Sequence, residues 1–125
     1  MKKIDISNRF HIIDPSLIRE YLEMGAAPFI PEEADEAVAL KPVVFSQSPQ
    51  TGDNGTFWRQ NFSAAVSNST LLKYNNTKAY IIFHMNDGSI RMIGSSHEAP
   101  LIQVTPHPGA VQITVDFDTP DPLLL

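Results

Sequence analysis

Cysteine is absent from the 125 residues, which excludes a disulfide framework, a thiolate metal site and a cysteine nucleophile, so the fold must be held by its core. Basic residues are few. Nine Lys and Arg face 14 Asp and Glu, for a net charge of −5. Lys2-Lys3 is the only adjacent basic pair, and beyond Lys78 only Arg91 is basic. A nucleic-acid partner would need a basic stripe to displace counterions from phosphates, and none is present. Long apolar runs are also missing, and Asp5 and Ser7 interrupt the stretch where a signal peptide would need them. The expectation is a cytosolic product with no membrane partner. Without an export signal, the Asn-x-Ser/Thr triplets beginning at Asn54, Asn61, Asn68 and Asn75 are expected to stay unmodified. Charged residues make up only 18%, below the roughly 25% of an average soluble protein, which leaves neutral surface for contact with other proteins.

What is present is β patterning. In residues 79–94, two runs of β-branched, aromatic and aliphatic residues flank Asn86-Asp87-Gly88, and Asp87-Gly88 supplies residues that tolerate positive φ. From Val111 to Phe117 the chain alternates strictly, with Val111, Ile113, Val115 and Phe117 on one face and Gln112, Thr114 and Asp116 on the other. A strand near Leu101–Thr105 precedes it across Pro106-His107-Pro108-Gly109, which reads as a turn. Val43–Gln47 is expected to pair with Phe57–Val66 across a long, mobile polar loop, Pro49–Gly55. In the return strand Trp58, Phe62, Ala64 and Val66 share a face. Trp58 reads as core, the alternative being an aromatic anchor in a binding face.

Residues 1–41 read as an irregular arm. Asp14-Pro15 gives an N-cap and a first helical position, Leu17, Ile18, Tyr21 and Leu22 follow at helical spacing, and Gly25 is a stop, so a short helix is predicted over 15–24. The acidic cluster Glu32, Glu33, Asp35 and Glu36 reads as a solvated loop or helical turn, the alternative being a cation-binding or docking patch. The fold expected is one mainly β domain over 1–125, an antiparallel small barrel or two-layer sandwich of about six or seven strands. It comprises the arm, a β core over 42–117 and a tail over 118–125.

Chemistry is thin. His11, His84, His97 and His107 have no metal-ligand spacing and read as surface histidines in loops. A metal set of His97, Glu98 and His107 would need a sharp bend, since those loops belong at opposite ends of one strand. Ser95-Ser96-His97 has no nucleophile elbow around it, and Asp116 with Asp118 on one outer face fits a soluble surface. No catalytic residue and no cofactor is expected. The candidate interaction residues are the hairpin tip Gln50, Thr51, Gly52, Asp53 and Asn54, and the terminal Leu123, Leu124 and Leu125, which either tuck into the core or dock on a neighbour.

The succession Tyr80–Met85, Asn86-Asp87-Gly88, Arg91-Met92-Ile93-Gly94, Ala99-Pro100-Leu101 and the closing strand to Phe117 with Thr119-Pro120 resembles small β-rich virion proteins, of tail or neck, from tailed-phage prophages. The resemblance covers roughly residues 71–120. It implies a non-enzymatic structural subunit that forms homo-oligomers or docks to other virion proteins, cytoplasmic before assembly. The alternatives are a small β-barrel ligand- or protein-binding module and, behind it, a metal-dependent hydrolase.

Overall fold

The computed structural model describes residues 6–53 and 55–124. It is mainly β, with two antiparallel sheets packed face to face. The elements in chain order are β1 (Ile6–Ile13), α1 (Pro15–Glu23), β2 (Asp35–Val38), β3 (Val44–Gly52), β4 (Gly55–Val66), a 3-10 turn at Ser69–Tyr74, β5 (Thr77–Lys78), β6 (Tyr80–Met85), β7 (Ile90–Ile93), β8 (Leu101–His107) and β9 (Ala110–Thr119). One sheet has the order β2-β1-β6-β7 and the other β3-β4-β9-β8-β5. These nine strands exceed the six or seven expected because the N-terminal segment is not an irregular arm. β1 lies inside the four-stranded sheet, paired with β2 on one side and β6 on the other.

The reason β1 escapes a period-two reading is physical. Phe10 and Ile12 face the second sheet, while Ile13 faces α1, and all three are fully buried. A strand covered on both faces shows an apolar run rather than alternation, and a register shift between Ile6 and Phe10 blurs it further. α1 begins where expected. The Asp14 carboxylate accepts a hydrogen bond from the Ser16 N–H at 2.9 Å, Pro15 occupies the first turn, and Ile18 and Leu22 bury one face.

That face covers the outer side of the four-stranded sheet, over Ile13, Tyr80, Ile82 and Met92. The main core lies between the sheets. There Phe10 meets Phe62 edge to face at 5.2 Å, and Val111, Ile113, Val115 and Phe117 are all buried as their alternation predicts. The Asn86-Asp87-Gly88 turn is also as expected. Gly88 adopts φ +90° and donates its N–H to Met85 O at 3.0 Å, and Asp87 Oδ1 accepts from the Ser89 N–H at 2.9 Å.

Three boundaries differ from expectation. Pro49–Gly55 is not a long loop, because β3 and β4 pair from Val44↔Ser63 to Gly52↔Gly55, which leaves only positions 53 and 54 between the strands. Gly55, at φ +108°, makes that tight reversal accessible. β8 runs through Pro106 to His107 and turns only at Pro108-Gly109, because β5 pairs with just Leu101 and Ile102 and leaves Pro106 on an open edge. The acidic cluster is divided. Glu32 and Glu33 are exposed, whereas Asp35 and Glu36 open β2, where Arg9 chelates Glu36 at 3.0 and 3.2 Å and Lys73 meets Asp35 at 3.0 Å.

Candidate functional site

Among the described residues, β3 is the outermost strand of the five-stranded sheet and forms its ladder with β4 alone. Its sequence, Val-Phe-Ser-Gln-Ser-Pro-Gln-Thr-Gly, has no charged residue. Edge strands are ordinarily blunted by charges, bulges, prolines or short length. β3 is nine residues long, its register to β4 is unbroken, and it carries one proline. Pro49 also fixes the parity of the edge. Opposite Trp58 it has no N–H to give, so this pair belongs to the class that exchanges no ladder hydrogen bonds. The backbone N–H groups of Phe45, Gln47 and Thr51 therefore point outward from the sheet, while those of Ser46, Ser48 and Gln50 point to β4.

Apolar side chains flank this edge. The chain leaves β2 and crosses to the second sheet at Ala39, which bridges to Val66, and the Leu40 N–H donates to Ala65 O at 2.7 Å. Leu40 and Val44 thus lie beside the end of β4, and they are 57% and 62% exposed.

Two glutamines stand on the inner face beside the edge. Gln60, only 2% exposed, takes the inward position between Trp58, which is half-buried, and Phe62. Its Nε2 donates to Gln47 Oε1 at 3.3 Å. The Gln47 carboxamide also grips the backbone of Leu123, accepting its N–H at 2.9 Å and donating to its carbonyl at 2.6 Å. Leu123 packs against the main core, Leu124 is 82% exposed, and Leu124 O accepts a hydrogen bond from Arg91 on β7. β7 is the outer strand of the other sheet. The tail thus crosses the open side of the sandwich from one sheet to the other. Of the candidate interaction residues, Gln50, Thr51 and Gly52 end β3, Asp53 is in the turn, and Asn54 and Leu125 lie outside the described residues.

His97 and Glu98 are exposed before β8, and His107 is exposed at its far end. The length of β8 from Leu101 to His107, about 20 Å at about 3.3 Å per residue, stands between them, so the three are not brought together. Among the described residues no group of three or more His, Asp or Glu is placed to hold a metal. Asp118 on the outer face is paired to Arg59 at 3.0 Å, and these two line an open groove of about 530 Å³ with Asn61, Lys78, Glu98 and Asp116.

His11 and His84 are not loop residues. Both sit in strands on the α1 side of the four-stranded sheet, with His11 Nδ1 and His84 Nε2 3.1 Å apart and His11 Nε2 3.5 Å from Glu36. The carboxylate orients the His11 N–H toward itself, leaving Nδ1 to accept from His84. Burial is the first cause that lowers both imidazoles below their ordinary range; the neighbouring His84 adds to it for His11, and Arg9 for His84. Glu36 opposes these effects at both rings without outweighing them. The signal available in the sequence was position, since each histidine interrupts an apolar strand, Phe10–Ile13 and Tyr80–Met85. Comparison of the chain with protein-family models, with curated proteins and with solved structures finds no match.

Proposed function

We propose that this chain is a non-enzymatic structural subunit that associates edge to edge through β3, and that the assembly is of the virion type its C-terminal half resembles. The observation that carries the reading is the uncharged, unbulged, nine-residue edge that β3 leaves unpaired among the described residues. Two such edges meet without like charges opposed, and the outward amides of Phe45, Gln47 and Thr51 can enter a shared ladder, each hydrogen bond adding a net contribution of about 0.5–1.5 kcal/mol. Leu40 and Val44 add apolar area beside it. Sedimentation across a concentration series tests the reading. The intact protein is expected to form dimers or larger species as concentration rises, and Ser46→Lys with Ser48→Lys to stay monomeric at an unchanged melting temperature. An intact protein that is monomeric at millimolar concentration, and whose melting temperature rises with a small ligand, favours the binding-module reading instead.

A further inference from the structure

From the contacts of the tail we infer that Pro120–Leu124 is an exchangeable strap, seated in its own chain's slot here and able to seat in the same slot of a second copy. The inference rests on the reading that the chain associates with itself, but it uses a different surface from the β3 backbone edge.

The slot is built for a backbone. Gln60 and Gln47 are polar groups on the inner face of a sheet, where an unbonded carboxamide would be costly, and their chain of hydrogen bonds ends on the amide N–H and carbonyl of Leu123. Leu123 fills apolar space against the core beside them. Arg91 then takes the carbonyl of Leu124. None of these partners is on β9, the strand the tail leaves. Gln47 and Arg91 are 76 and 33 residues from the tail residues they hold, so the slot makes no distinction between its own tail and a neighbour's.

The link that decides between the two is short. β9 ends at Thr119, and Pro120, Asp121 and Pro122 alone connect it to Leu123. Two prolines in three residues restrict this link to a few conformations, and Thr119 Oγ1 holds it bent, accepting the Asp121 N–H at 3.4 Å and donating to the Asp121 carbonyl at 3.3 Å, so little chain entropy is regained or lost when the tail leaves one slot for another. Cis and exchanged forms make the same contacts, and the balance is set by the link and by concentration. Mutations in the slot should therefore weaken both forms alike, whereas changes in the link should shift one toward the other.

The test has two arms on the full chain. In the first, ¹³C-labelled and unlabelled protein are mixed, unfolded and refolded together at high concentration, and isotope-filtered NOEs are sought between Leu123 methyls of one copy and the core of another. Exchange predicts them. In the second, Pro120 and Asp121 are deleted, which removes up to about 7 Å of reach at about 3.3–3.6 Å per residue. Leu123 then cannot return to its own slot, and the dimerisation constant is expected to rise at least 100-fold, an increase that Leu123→Asp abolishes. Adding Ser46→Lys and Ser48→Lys to the deletion separates the two surfaces, since a dimer that survives there is held by the tail and not by the edge. A dimer with no intermolecular Leu123 contacts, and no gain on shortening the link, overturns the exchange while leaving the edge reading intact. A shortened chain that remains monomeric with its tail released also overturns it.

Discussion

Replacing Gly94 by Ala puts a methyl group where the fold has no room. Gly94 follows β7 at φ +124°, a backbone region that L residues rarely adopt, and holding alanine there costs about 1–3 kcal/mol. The second cost is contact. A Cβ at this position would lie 2.6 and 2.7 Å from Cδ1 and Cε1 of Tyr80 and 3.1 Å from Cδ of Pro100, well inside the roughly 3.5–4.0 Å of normal carbon contact. Tyr80 cannot swing away easily. Its ring is fully buried beneath α1, and its hydroxyl donates to Ser95 O at 2.7 Å. Displacing a packed ring costs a further ~1–3 kcal/mol. The sum for Gly94→Ala is about 2–6 kcal/mol. Gly88→Ala supplies the control, because Gly88 also has positive φ, +90°, but its Cβ would meet nothing within 4 Å. That variant should lose only the conformational part, about 1–3 kcal/mol. Urea unfolding of the three proteins measures both, and each kcal/mol should lower the melting temperature by about 3–5 °C in a domain of this size. Trimming the ring with Tyr80→Leu should recover part of the Gly94→Ala loss in a double-mutant cycle. Equal losses at Gly94 and Gly88, or no coupling to Tyr80, would refute the close-approach argument.

Other residues give simpler tests. Ile113→Ala should cost about 2–5 kcal/mol in chemical denaturation, since Ile113 is fully buried between the sheets. The two strand histidines predict an acid-side loss of stability. Their imidazoles are held below the ordinary value, so the unfolded chain takes up protons first, and stability present above about pH 6.5 declines as pH falls from there through the lowered folded values. A second loss follows below about pH 4 as the depressed carboxyls of Asp14, Asp35 and Glu36 protonate. Replacing both His11 and His84 by Gln should flatten the first phase and leave the second, which a series of melts from pH 8 to pH 3 would show. His97→Ala with His107→Ala should change stability by less than about 0.5 kcal/mol, both side chains being exposed, and isothermal titration with zinc should detect no stoichiometric binding removed by the pair.

The second half of the fold was legible because its strands have one buried face. Val111–Phe117 alternates, Asp87-Gly88 marks its own turn, and Asp14-Pro15 announces a helix, each by local chemistry. β1 was hidden by burial on both sides, which erases alternation. Pro49 breaks the β3 pattern in sequence, although a proline fits an edge strand when its missing N–H faces outward. The same break conceals the candidate site. Gln50–Gly52 look like a loop tip in sequence, yet they close a strand whose significance lies in what pairs with its other side. The Leu123 slot needed Gln47, Gln60 and Arg91, three residues from three strands, whose convergence depends on how the two sheets are stacked. His11 and His84 converge for the same reason, through a β1–β6 pairing about 70 residues apart in sequence.

The central claim concerns the backbone edge, and amide hydrogen exchange read residue by residue by NMR tests it most directly. In a monomer the outward amides of Phe45, Gln47 and Thr51 exchange fast, while the inward amides of Ser46, Ser48 and Gln50 are protected by β4. Edge-to-edge association predicts that protection at Phe45 and Gln47 rises with protein concentration, and that the rise is lost in Ser46→Lys with Ser48→Lys. Fast exchange at these outward amides at every concentration, in a sample that sediments as an oligomer, would contradict it.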